Sequence, residues 1–256
     1  ENKKTVRSEN LKKYYPEWKS FLSDAEIKCV CDYISKKLCD EWPAYFELNA
    51  KSELSCRLSG DKFSTDNVSL DNSKYKDLFD ALAMQVQEDM AIWKWDESAG
   101  KEYLGALHLC APNHWAAEEK IGRSFVNVHK PVAEIEPINK NVEGMLRAMI
   151  VKGPFERFAW GLATDTRLNH HPEALPGRSF DKSHPELFLR VERQTLHPFA
   201  KEGLSLFTIR TYFYSVTELS ADEITKVIAS VDSMSENSLK YKGLAESKED
   251  VKNYLK

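Results

Sequence analysis

The chain has 256 residues, 42% of them hydrophobic and 30% charged, with a net charge of −4. That length buries a full core and suits one large domain. The acidic balance excludes a basic nucleic-acid footprint. No apolar run reaches the roughly eighteen residues of a membrane span, so neither nucleic acid nor membrane contact is expected from this segment.

Residues 1–22 read as a flexible N-terminal segment, highly charged through residue 13. Residues 23–256 read as a single domain. Ser23-x-x-Glu26 is a capping box, and Ile27, Val30, Cys31, Ile34 and Leu38 follow at helical spacing until Pro43. Residues 49–72, rich in Ser, Asn and Asp, read as a long connection. Tyr75, Leu78, Phe79, Leu82, Val86 and Met90 predict a second amphipathic helix, closed by Gln87-Glu88-Asp89 just before Trp93 and Trp95. Strands are predicted at Tyr103 to Cys110, Arg157 to Thr164, Leu187 to Leu196 and Leu204 to Tyr214, the last two joined through Phe199–Gly203. Residues 168–186, with three prolines, read as a loop able to act as a lid. Ser220-x-x-Glu223 caps a third helix with Ile224, Val227, Ile228 and Val231 inward, and a short helix ends the chain around Val251–Leu255. Helices flanking a central antiparallel group of strands give an α+β class.

Five cysteines, Cys29, Cys31, Cys39, Cys56 and Cys110, are odd in number and lack a Cys-x-x-Cys pair. Neither a disulfide framework nor a zinc ribbon fits, and a reducing, cytoplasmic compartment is expected. The first residue is Glu1. A trimmed N-terminus is therefore expected, which leaves room for a removed leader or anchor.

The stretch from His108 to Val132 mixes small, aromatic, charged and turn residues too quickly for a core face. His129, ahead of Pro131, suits an axial ligand of haem iron on a stiffened support. On the residues alone, a half-buried histidine bonded to main chain suits it better. Cys110 is a rival ligand without an adjacent cation, and inert packing suits it better. His108, His114, His170 and His171 match no zinc spacing. Period-two alternation puts Arg190 and Glu192 on one face of their strand and Arg193 on the other. It puts Arg210 and Tyr212 on one face of the next strand, with Thr208 and Tyr214. Arginines among apolar strand residues imply either cross-hairpin ion pairs or guanidinium forks for a carboxylate such as a haem propionate. A carboxylate beside Trp93 and Trp95 suits an amine cation, or simply a solvated helix surface. Trp160 reads most simply as core.

Collinear segments resemble the haem-dependent oxidative N-demethylase family, in its haem-binding catalytic alpha subunit. They are Val86-Gln-Glu-Asp89, Cys110-Ala-Pro112 with Trp115, Glu119-Lys-Ile-Gly-Arg123, Val128-His-Lys-Pro-Val132, Arg157-Phe-Ala-Trp160, Leu189-Arg-Val-Glu-Arg-Gln-Thr-Leu196, Phe207-Thr-Ile-Arg-Thr-Tyr212 and Tyr241-Lys-Gly-Leu244. The run from Arg190 to Leu196 is the most specific. Pro112-Asn-His-Trp115 and Ala159 depart from the family's Pro-Ser-Gly-Trp and Arg-x-Asn-Trp.

The resemblance implies a PAS-like curved antiparallel sheet, with flanking and inserted helices, that grips haem b. It implies O2-dependent removal of a methyl group from a small methylated (secondary) amine, releasing formaldehyde. Electrons would come from NADPH through a reductase partner carrying FMN and an iron–sulfur cluster. This chain has no Gly-x-Gly-x-x-Gly fingerprint or cysteine cluster of its own for those groups. On that reading His129 ligates iron, and Glu88, Asp89, Glu192 and Tyr212 serve the amine and its chemistry. Lys120, Arg123, Arg190, Arg193, Arg210 and Trp160 line the cofactor. A haem-binding sensor or carrier on the same fold, or a haem-free binding module, are the alternatives.

Overall fold

The computed structural model describes residues 2–9, 11–71, 74–174 and 180–256. Helices α1 (Asn2–Glu9), α2 (Leu11–Tyr14) and α3 (Asp24–Glu41) lead into the short strands β1 (Phe46–Leu48), β2 (Glu53–Cys56) and β3 (Lys62–Ser64). Then come α4 (Leu78–Ala83), β4 (Asp89–Asp96), β5 (Lys101–His108), α5 (Phe125–His129), α6 (Glu136–Asn139) and α7 (Val142–Val151). Strands β6 (Phe155–Ala163), β7 (Phe188–Phe199) and β8 (Leu204–Ser215) precede α8 (Ala221–Asp232), α9 (Glu236–Tyr241) and α10 (Lys248–Leu255). The strands form two antiparallel sheets, β1-β2-β3 and β5-β4-β8-β7-β6.

Both expected capping boxes form. Ser23 and Glu26 exchange bonds at the start of α3, and Ser220 and Glu223 at the start of α8, each pair satisfying orphan amides. The predicted stripe of α3 is buried, and the turn after Phe199 closes the β7–β8 hairpin. There Gly203, at φ +66, lets the chain approach the Trp95 carbonyl so closely that a Cβ would sit 2.8 Å from it.

Three predicted features differ. The second helix ends at Ala83, and Asp89–Asp96 is a strand. Met90, Ala91, Ile92 and Trp93 are all buried, because β4 lies between β5 and β8 and both its faces are covered. A continuous apolar run of this kind does not distinguish a buried strand from a helix. Residues 49–72 hold the small sheet rather than a bare connection, with Leu54, Cys56 and Phe63 turned into the core.

Several described side chains within 1–22 pack against the rest of the domain. Tyr14, Tyr15 and Trp18 are each only 1% exposed. Lys3 donates to the Ala83 and Glu88 carbonyls (2.7 and 2.6 Å), the first at the end of α4 where helix carbonyls lack partners. Arg7 donates to both oxygens of the fully buried Asp80, 2.8 and 2.6 Å away. Tyr15 and Trp18 both donate to Asp77. Burial would push the Asp80 carboxyl up, but bonds from His108 and Arg7 outweigh this and hold it low. Burial lowers His108 to about 4. It is therefore neutral, and Arg7 is the charge that offsets Asp80.

Strand alternation sorts the larger sheet into two faces. One carries Ala91, Trp93, Leu107, Leu196 and Phe207, packed under Phe125 of α5 and Leu146 and Met149 of α7. The opposite face carries Met90, Ile92, Leu204 and Leu206 against α3. Further along it, Trp160, Leu162 and Leu189 lie against α8–α10.

Arg7→Ala leaves a buried carboxylate without its cation. The expected loss is about 2 kcal/mol of unfolding free energy, since Arg7 is partly exposed. Urea denaturation checks the loss, and faster protease cleavage before residue 23 checks the docking.

Candidate functional site

His129 closes α5. Ser124 caps the helix by accepting from the Asn127 amide, and the Glu102 carboxylate on β5 accepts from the Phe125 amide at 2.8 and 2.9 Å, tying α5 to the sheet. The imidazole stacks on Phe125 (3.9 Å between ring centroids) and lies 6.3 Å from Trp93. Its Nδ1 is 2.9 Å from the Phe125 carbonyl oxygen. A carbonyl only accepts, so Nδ1 carries the hydrogen and Nε2 keeps its lone pair. Burial lowers the ring's pKa, opposed by the Phe125 bond and helped by Arg157 and Lys120. The side chain is a neutral imidazole with an anchored Nδ1, the state in which histidine serves as a metal ligand.

The same sheet face carries a polar row. Along β7, Arg190, Glu192 and Gln194 alternate inward, opposite Gly161, Ala159 and Arg157 of β6. Arg157 donates to Gln194 (2.6 Å), Gln194 donates to Glu192 (2.8 Å), and Arg190 bridges Glu192 and Thr211. A Cβ built on Gly161 meets nothing within 4 Å, so the small residues of β6 leave open space beside Glu192 and Arg190. Arg190 is buried, and its Nε has no partner among the described residues.

Asp89 lies on this face but is differently engaged. Its two oxygens accept from the Cys110 and Ala111 amides at 2.7 and 2.8 Å. It pins the chain leaving β5 to the start of β4. Burial raises its carboxyl to about 6 against those bonds. Cys110 is pushed up to about 12 by burial, so its thiol is inert.

The remaining predicted residues lie elsewhere. Arg193 faces Arg210 across the hairpin on the opposite sheet face, with Tyr212. Arg210 pairs with Glu88 at 3.5 Å and lies over the Tyr212 ring, while Arg193 pairs with Glu156. That face is open here, since Phe158 beside Arg193 is 63% exposed. Glu88, Arg193, Arg210 and Tyr212 are therefore separated by the sheet from His129. Trp160 belongs to the core under α8–α10. Lys120 stays near His129 but donates to the Val128 carbonyl (2.9 Å), and Arg123, exposed, donates to the Glu119 carbonyl. Arg157, Gln194 and Thr211 were not singled out as site residues. Alternation from Arg190 and Glu192 reaches Gln194, but Arg157 and Thr211 join through strand pairing alone. Of the expected lid, residues 175–179 lie outside the described residues.

Haem would need a neutral imidazole with a free nitrogen, cations for its propionates and room beside them. His129, the buried guanidinium of Arg190 with its orphaned Nε, Arg157 and the open space over Gly161 meet these needs. The residues present fit the group. Among the described residues, no cluster of three or more His, Cys, Asp or Glu could hold a bare metal ion.

Two antiparallel sheets flanked by helices, with an imidazole and a guanidinium–carboxylate row on one face of the larger sheet, make this a mixed α+β protein. The family model described as "Haem-dependent oxidative N-demethylase, alpha subunit-like" matches residues 2–252, and the chain belongs to that family. No helix of the described residues is long and apolar enough to cross a membrane.

The Asp89 carboxyl gives a pH signature. Its folded-state value, raised from 3.8 to about 6, lets the native state hold a proton that the unfolded chain releases. Stability therefore falls as pH rises from about 4 through 6, by on the order of 3 kcal/mol, and stays level above. The wild-type minus Asp89→Asn difference in urea unfolding, measured at pH 4 and pH 7, should change by that amount.

Proposed function

We propose that this chain is a haem-binding catalytic subunit that uses O2 to demethylate a small secondary amine, on a PAS-like sheet. The amine, O2, two electrons and two protons give the demethylated amine, formaldehyde and water. The electrons come from NADPH through a reductase partner bearing FMN and an iron–sulfur cluster. Bound haem b would supply the oxidising chemistry. His129 would hold it through Nε2, and Arg157 and Arg190 would meet its propionates.

Glu192 takes the substrate ammonium. It is the partly accessible carboxylate of the row, beside the open space over β6. Arg190 and Gln194 fix its direction by donating to its oxygens, so the cation is received without reorganisation. Asp89 is an anchor for the Cys110–Ala111 turn rather than the amine's partner. The reading is carried by one observation, the neutral imidazole of His129 on the same sheet face as the Arg190–Glu192 pair.

The purified protein, supplied with haem, should show a Soret band that shifts on dithionite reduction. His129→Ala should stay folded but give an altered spectrum and at least about tenfold weaker haem binding. Glu192→Gln should keep the wild-type spectrum while amine-dependent formaldehyde release falls about a hundredfold or more. An unchanged spectrum in His129→Ala would remove the role of His129 in holding the haem.

A further inference from the structure

The loops leaving β5 and β6 meet beyond the polar row. Asn113 and His170 form a parallel bridge, the His170 amide donates to the Pro112 carbonyl (3.0 Å), and the His114 amide donates to the His170 carbonyl (3.1 Å). The His114 and His170 rings lie 5.3 Å apart. Asp165 binds the Arg167 amide (2.9 Å) and the His170 Nε2 (3.1 Å) through one oxygen. Its other oxygen is 3.8 Å from Arg167 Nη2, too far for a hydrogen bond.

This leaves an unusual set of orphans. Arg167 Nε and Nη2 are buried atoms without a hydrogen bond among the described residues, as are His170 Nδ1 and Arg190 Nε. His170 and Arg190 are each 6% exposed. Buried polar atoms are paired in nearly all proteins, so a cluster of unmatched ones calls for an explanation. Nε and Nη2 form one straight edge of the guanidinium, the edge that receives the two oxygens of a carboxylate side-on.

We infer that the unbonded Nε–Nη2 edge of Arg167, on the loop that also carries the unbonded His170 Nδ1, is a binding site for a carboxylate. Asp165 holds the loop through the Arg167 amide and His170 Nε2, and its second oxygen stands 3.8 Å from Nη2 without a hydrogen bond to it. An anion there, together with Asp165, favours the imidazolium of His170 against Arg167 and His114, and Nδ1–H then becomes the third donor. Two carboxylate sources share this chemistry: a haem propionate, which rests on the function proposed above, and a free small carboxylate, which does not.

The test uses the full chain, its Arg167→Gln and Arg167→Lys variants, and three probes: haem b, haem dimethyl ester and sodium acetate. Lysine keeps the charge but lacks the fork, and circular dichroism with a melting curve confirms that each variant is folded. For a propionate, both variants bind haem b about tenfold or more weakly by Soret titration, while the ester binds all three proteins equally. For a free carboxylate, acetate raises the melting temperature of the wild type with or without haem, and of neither variant. The inference is overturned if acetate shifts all three proteins alike, or none, while haem b and its ester are both indifferent to position 167. A chain that fails to take up haem at all would sink the proposed function but leave the acetate comparison to decide this site.

Discussion

The twelve-residue pairing of β7 with β8 is the constraint on which the rest of the molecule depends. Strand side chains alternate with a period of two, so this register decides which charges share a face. It turns Arg190, Glu192 and Gln194 toward His129, and Arg193, Arg210 and Tyr212 away. A slip of one residue in β7 would turn Leu189, Val191 and Arg193 onto the face where the polar row now stands. Thr195 and Thr208 bond across the pair at 2.6 Å, and Arg193 lies opposite Arg210, each drawn off by its own carboxylate. Like charges facing one another are tolerable only with such partners.

The surrounding elements hold that sheet from both sides. On one face α5 and α7 close over Trp93, Leu107 and Phe207, which places His129 where its Nδ1 meets the Phe125 carbonyl. On the other, α3 and the C-terminal helices form two separate cores. Between these cores Phe158 is exposed, and there Glu88, Arg210 and Tyr212 make a half-buried cluster. The N-terminal segment completes the structure through Lys3, Arg7, Tyr15 and Trp18, whose targets are the carbonyls beside β4 and the buried Asp77 and Asp80. Asp89 links this region to the site by fixing the turn at Cys110.

Elements with local signals were legible in the chain. The capping boxes at Ser23 and Ser220 need only four consecutive residues, and the β7 and β8 strands announce themselves by branched and aromatic residues on either side of a short loop. The region from Tyr75 to Met90 was misleading because its apolar spacing fits a helix until Ala83, whereas the pairing of β4 depends on β8, more than a hundred residues later. The contacts of Lys3 and Arg7 were hidden by the charge of the residues around them. Lys3 and Arg7 look solvated until the carbonyls and the carboxylate that receive them are brought near.

By itself, the sequence determined the residue types of the site and their grouping along each strand: an imidazole before Pro131, Arg190 and Glu192 on one face, Arg193 on the other. It also carried the family, through segments spread along nearly the whole chain. Only the tertiary structure decided which strand face belongs to His129, that Asp89 anchors a turn, and that Arg157, Gln194 and Thr211 join the row. The reason is physical. Alternation is a local property of the backbone, but a face acquires its meaning from what packs against it, and those partners are distant in the chain.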